Sequence, residues 1–129
     1  MFRHSAGEDP IDQLKFAADQ GFTAWEDNGM KGKPPELQEK IANTMQHLGM
    51  TMGVFVATGE FSKVTFAGSD KSAHDKVLQD IRDSVDVAHR VNAKWMTVAP
   101  GHLHKGLEWD YQTANCIELL KRCSDILEP

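Results

Sequence analysis

Apolar residues recur along this chain in two alternating rhythms, short dense runs and then stripes at helical spacing. The first run is Phe2-Arg3-His4-Ser5, read as a strand closed by the turn Ala6-Gly7. Asp9-Pro10-Ile11-Asp12 then marks a helix start: an Asp accepts from free backbone N–H groups, Pro fits the first helical position, and the second Asp complements the dipole. Ile11, Leu14, Ala17 and Ala18 form its stripe, and Gly21 its stop. The second unit repeats this grammar. Phe22 to Glu26 reads as a strand and Asp27-Asn28-Gly29 as a turn. A loop through Gly32 and Pro34-Pro35 leads to a helix with Leu37, Ile41, Met45 and Leu48, closed by Gly49.

A third strand is expected from Met50 to Val56, nearly all apolar, as when both sheet faces are covered. A long polar segment with Gly59 and Gly68 follows. The next helix is expected from about Ser72 to Val91, striped by Leu78, Ile81, Val85 and Ala88. The fourth strand, Trp95 to Ala99, ends in Pro100-Gly101-His102. The last helix, from about Tyr111 to Leu127, presents Ala114, Ile117, Leu120 and Cys123. Strands alternating with helices over these lengths imply right-handed βαβ units and a parallel sheet.

Two α/β architectures compete: a (βα)4 half of a TIM (β/α)8 barrel with outer helices, and a small open doubly wound sheet. No glycine-rich nucleotide-binding run follows a strand, so the nucleotide folds lose support and the half-barrel leads. The 129 residues are about half of the roughly 250 in a complete barrel. They read as one domain over residues 1–129, stopping at Leu127-Glu128-Pro129 where a fifth strand would be due.

Composition narrows the partners. The chain is 40% hydrophobic and 26% charged, an ordinary globular mixture. A net charge of -5 with scattered basic residues argues against nucleic acid. No apolar run approaches the roughly 18 residues of a membrane span, and Met1-Phe2-Arg3-His4 lacks a signal-peptide core. Cys116 and Cys123, seven apart on one helix, sit about 10 Å apart along its axis, beyond disulfide reach. Both read as reduced core residues of a cytoplasmic protein, and no further cysteine or histidine completes a zinc pattern.

Chemistry is expected in the loops after the strands. Those loops hold His4 and Ser5, Glu26 with Asp27 and Asn28, Thr58 and Glu60, and His102 with His104. Glu26 reads either as a substrate or metal carboxylate or as the partner of a neighbouring cation. His4 reads either as a substrate contact or as filling of a barrel interior. His102-x-His104 invites a metal, but two-residue spacing in a loop is weak support; His102 is better read as a substrate contact. His47, His74 and His89 read as solvated helix residues, and Trp25, Trp95 and Met96 as core. Ser5 and His4 point to opposite strand faces, so no nucleophile is assembled.

The segments Phe2-Arg3-His4-Ser5, Gly21-Phe22-Thr23-Ala24-Trp25-Glu26-Asp27-Asn28-Gly29-Met30, Gly49-Met50-Thr51-Met52-Gly53-Val54-Phe55-Val56 and Asn92 to His102 resemble the hydroxypyruvate isomerase-like proteins. These belong to the xylose isomerase-like barrel superfamily, and Tyr111-Gln112-Thr113-Ala114-Asn115 fits the same pattern. The resemblance spans the chain but only the amino-terminal half of the family's barrel. It implies aldose–ketose isomerisation or epimerisation through an enediolate, acting on a small sugar or hydroxy-keto acid. It also implies a divalent metal (Mg, Mn or Zn) held by later strands of the complete barrel, with no metal site in this half. His4, Glu26 and His102 inherit roles as substrate-side contacts. Glu128-Pro129 looks like the family's metal-binding Glu-Pro but falls at a helix end, so it inherits none. The half-barrel is expected to be inactive alone. The alternative is a half-barrel that self-associates as a homo-oligomer through exposed strand edges and serves as a non-catalytic binding or structural unit.

Overall fold

A computed structural model describes residues 2–128. Five helices and four short strands follow in the order α1 (Arg3–Ala6), α2 (Pro10–Asp19), β1 (Ala24–Trp25), α3 (Pro35–His47), β2 (Thr51–Met52), β3 (Val56–Thr58), α4 (Lys71–Val91), β4 (Thr97–Val98) and α5 (Trp109–Leu127), with a 3-10 turn at Met30–Gly32 before α3. The chain forms two compact units, one of residues 1–55 and 86–96, the other of residues 56–85 and 97–129. Among the described residues no helix is long and apolar enough to cross a membrane.

In the first unit β1 and β2 run parallel, Ala24 opposite Thr51 and Trp25 opposite Met52. Asp9 caps α2 by accepting from the Ile11 N–H at 2.8 Å, with Pro10 as the first helical residue. Gly21 and Gly49, at φ +88° and +66°, turn the chain out of α2 and α3 in the left-handed region that glycine enters without a Cβ clash. The apolar stripes converge: Ile11, Leu14, Ala17, Met30, Ile41, Met45, Met50, Phe55, Val87 and Val91 form one buried cluster.

The segment Phe2-Arg3-His4-Ser5 is a helical turn, not a strand. The Ala6 N–H donates to the Phe2 carbonyl at 2.8 Å and the Gly7 N–H to Arg3 at 3.0 Å. The Phe2 ring packs near Phe16, Phe22 and Trp25, with centroids 5.3, 5.6 and 6.2 Å away. Apolar character at this position thus serves an aromatic anchor rather than a sheet. The other strands are shorter than expected, and the expected run Met50 to Val56 is divided. Its first part pairs with β1, while β3 belongs to the second unit and pairs with β4.

There β3 and β4 run parallel, with Val56 opposite Thr97 and Thr58 opposite Val98, so the register shifts at Ala57. Phe66, Ala67, Val77, Leu78, Ile81, Leu119 and Cys123 are buried with Ala57. Two expectations fail on burial. Trp95 is 74% exposed rather than core. On α5 the buried positions are Gln112, Leu119 and Cys123, while Ala114, Ile117 and Leu120 of the expected stripe face solvent.

Candidate functional site

One device recurs before four helices. The fourth residue of α2, α3, α4 and α5 reaches back over the preceding loop and grips its backbone carbonyls. Gln13 Nε2 donates to Gly7 O at 2.9 Å. Gln38 Nε2 donates to Met30 O and Lys33 O at 3.1 and 2.8 Å. His74 Nε2 donates to Gly68 O at 3.0 Å, and Gln112 Nε2 to Leu107 O at 2.8 Å. Each glutamine oxygen is also used: Gln13 accepts from Phe2 N, Gln38 from Arg90 Nη1, and Gln112 from His104 N. All three glutamines are buried. A buried primary amide must satisfy both ends or cost stability, so each clasp sets the path of a loop. The sequence carries its signal, a Gln three residues after Pro10 and again after Pro35.

In the first unit these loops bound a cleft of about 620 Å³, lined by residues including Arg3, Gln13, Trp25, Glu26, Asp27 and Lys33. It opens just past the carboxyl end of β1, where parallel sheets place their ligands. Glu26 follows β1 directly and is exposed. Its backbone is pinned from one side: Gly53 N–H donates to Trp25 O at 2.7 Å, and a Cβ at residue 53 would stand 3.5 Å from Glu26 Cβ. Asp27 is bound on two sides, pairing with Lys33 Nζ at 2.9 Å and accepting from Gly29 N at 3.0 Å. The Asp27-Asn28-Gly29 turn expected from sequence is therefore present, with an ion pair added. Arg3 pairs with Glu8 at 3.1 Å, and both side chains are largely exposed, where such a pair contributes about 1 kcal/mol or less. Glu26 takes part in neither pair.

The cleft offers cations, carboxylates and an amide around an aromatic wall, groups that can hydrogen-bond a small polar ligand. His4 is exposed on α1 and is not among the lining residues, whereas Arg3 beside it is. Arg3, Gln13 and Lys33 escaped the sequence reading because they reach the cleft through the helical turn and the loop, not from strand ends.

Two depressions lie among the described residues of the second unit. One, of about 260 Å³, is lined by residues including Thr58, Glu60, Lys63, Thr65, Asp70 and Lys76. Its polar groups are tied to one another. Thr58 Oγ1 accepts from Ala99 N at 3.1 Å, and Thr65 Oγ1 donates to Pro100 O at 3.0 Å. Hydrogen bonds from the Ser62 hydroxyl first, and then from Lys63, hold the Glu60 carboxyl below its ordinary 4.5. Bonds from Ser72 do the same for Asp70 relative to 3.8.

The other depression, about 270 Å³, lies among Ala67, Pro100, His102, Leu103, Trp109 and Ile117. His102 is exposed, and its backbone N–H donates to Lys63 O at 2.9 Å. His104 Nδ1 accepts from Gly106 N at 3.1 Å. Burial raises the Cys116 thiol, and raises Cys123 despite the opposing charge of Arg122. Both cysteines are free, Cys123 buried and Cys116 partly so. Among the described residues no three His, Cys, Asp or Glu side chains converge as a metal site.

No protein-family description matches the sequence, and no curated protein matches it. The structure is similar to that of a D-psicose 3-epimerase solved in the presence of D-fructose. The TM-score is 0.65 at 9% identity, over 92% of this chain and 44% of that one. The chain thus spans less than half of that enzyme's length. At this identity the likeness speaks for the fold alone: an α/β chain with parallel strands, folded similarly to that epimerase.

Proposed function

We propose that the chain supplies the amino-terminal, substrate-side half of a sugar isomerase or epimerase barrel, a (βα)4 array whose ligand is a small sugar or hydroxy-keto acid such as hydroxypyruvate. The observation that carries this reading is the cleft past β1, where Glu26 is exposed beside the Lys33–Asp27 pair and Arg3. The likeness to a barrel epimerase supports the same reading. In it Glu26 accepts hydrogen bonds from ligand hydroxyls while Arg3 and Lys33 face a carbonyl or carboxylate oxygen. A magnesium, manganese or zinc ion is held by other residues of the complete barrel.

Titration of the ¹⁵N-labelled chain with D-fructose and with hydroxypyruvate tests the reading. Saturable shifts at Trp25, Glu26 and Gly29 are expected, and Glu26→Gln should weaken binding by roughly tenfold, the worth of one charge-assisted hydrogen bond. Shifts that are absent for both ligands, or unchanged by Glu26→Gln, would overturn it. Isomerase turnover by this chain alone with manganese would overturn the assignment of the metal to other residues.

A further inference from the structure

Four asparagines occur in the chain, and only Asn28 is followed by glycine; Thr44, Ala93 and Cys116 follow the others. An asparagine side chain closes into a five-membered succinimide when the next backbone nitrogen attacks its Cγ, and a following glycine puts no Cβ in the way. Asn28 is exposed and lines the cleft past β1. The turn around it opposes that closure in two ways. The first is conformational. The Met30 N–H donates to Asp27 O at 3.0 Å, and Gly29 sits at φ −90° and ψ 7°. This is a type I turn, which sets ψ of Asn28 at about −30°. Ring closure needs the Gly29 nitrogen eclipsed with the Asn28 Cβ, at ψ of about −120°, outside the allowed regions. The second is electrostatic. The Gly29 N–H donates to Asp27 Oδ1 at 3.0 Å. The attacking nitrogen must shed that proton, and an adjacent carboxylate disfavours the anion it would become. Lys33 Nζ, 2.9 Å from Asp27 Oδ2, holds the carboxylate in place.

We propose that Asn28 is a self-modification site, deamidating through a succinimide with Gly29 at a rate set by the Asp27–Lys33 pair. When the pair opens, the Gly29 nitrogen gives its proton to solvent hydroxide and bonds to Asn28 Cγ, and the side-chain nitrogen leaves as ammonia. Water then adds to one of the two ring carbonyls. Breaking the bond from nitrogen to Cγ yields aspartate. Breaking the bond from nitrogen to the backbone carbonyl carbon yields isoaspartate, with the chain rerouted through the side chain. Either product adds a carboxylate to a cleft that already holds Glu26 and Asp27. Isoaspartate also lengthens the turn by a methylene, which pulls the Met30 N–H away from Asp27 O. All the reacting atoms of the chain lie in residues 28 and 29, so the step depends neither on the sugar-site reading nor on the elements that flank this unit.

Peptide mapping by mass spectrometry, after incubation of the whole chain in mildly alkaline buffer, tests this. In urea Asn28 should convert to aspartate and isoaspartate well ahead of Asn43, Asn92 and Asn115. In the folded chain its conversion should be slower by roughly tenfold or more, the protection given by a turn that must first open. Asp27→Ala and Lys33→Met should each restore most of the unfolded rate while leaving the circular dichroism of the chain unchanged. Gly29→Ala should suppress the reaction in both states. A Cβ there stands 3.5 Å from Asp27 Oδ1 and 3.7 Å from Lys33 Nζ, ordinary contacts, so the turn survives it. Conversion in the folded chain as fast as in urea overturns the proposal. So does a folded-state rate that neither Asp27→Ala nor Lys33→Met changes, or an Asn28 that stays intact in urea.

Discussion

In the first unit Leu14, Met30, Ile41, Met45 and Phe55 meet in one cluster, and the large apolar side chains left exposed are Phe22, which still packs against Phe2, and Trp95. In the second unit Phe66, Ile81 and Leu119 are as deeply buried, yet Phe61, Leu103, Trp109, Tyr111, Ile117, Leu120 and Leu127 remain at the surface. Its interior also admits more polar groups: Thr58, Thr65, Ser84 and Gln112 are buried, each tied to a backbone carbonyl. One unit closes around its apolar residues. The other satisfies its interior with hydrogen bonds and keeps apolar surface in hand. Burial therefore reflects how many partners an element has, and not only how apolar it is.

The sharpest way to break this contrast is to truncate matched leucines. Leu14→Ala, at a residue 1% exposed, should cost about 3 kcal/mol by urea unfolding, as transfer and cavity terms add. Leu120→Ala should cost less than about 0.5 kcal/mol. Equal losses would mean that α5 is covered on both stripes.

A smaller but more local effect is expected at Gly101. Its φ is +75°, and a Cβ there would run into the Lys63 carbonyl and come within 2.6 Å of Thr65 Oγ1. The loops after β3 and β4 meet there, through the Val64–Gly101 bridge and the His102 N–H to Lys63 O bond. Gly101→Ala should cost roughly 2 kcal/mol and raise hydrogen exchange between residues 63 and 66. A neutral result would show that these loops do not depend on each other.

The clasps sharpen the comparison further. Gln38→Ala strands the Met30 and Lys33 carbonyls and the Arg90 guanidinium, and Gln112→Ala strands Leu107 O and His104 N. Each should cost about 1–2 kcal/mol, with the larger loss at Gln38, where a charged donor is orphaned as well. Thermal midpoints of the two variants decide the order.

The smallest effect is on acid stability and belongs to the second unit. Glu60 and Asp70 have folded-state values below their ordinary 4.5 and 3.8. Their contribution is thus present above those values and is lost as pH falls below them. The thermal midpoint should decline between about pH 5 and about pH 3, and Ser72→Ala should flatten that decline by removing the hydroxyl that donates to the Asp70 carboxylate at 2.9 Å. An unchanged slope would remove these bonds from the account.

Helices were legible because their signals are local. Asp9 and Pro10 start α2 where the capping chemistry says, and the stripe through Ile41 and Met45 is buried as read. Strands were less legible, being two or three residues long and defined by partners distant in sequence. Phe2 looked like strand because an aromatic anchor and a buried strand residue are equally apolar. The α5 stripe was misplaced because two apolar sectors lie side by side, and their average points between the buried and the open face. At the candidate site, Glu26 was legible from its place after an apolar run. Arg3 and Lys33 were not, since only the folded loops bring them to the same cleft.

The clasp at the fourth helical residue makes each loop answer to its own helix. A loop and the helix behind it then form a cassette, carrying the instruction for its shape within about ten residues. Such cassettes can diverge in loop sequence or be exchanged between related chains, with the ladder of strands untouched. His74 is one example, where an imidazole has taken the place that an amide holds in the other three.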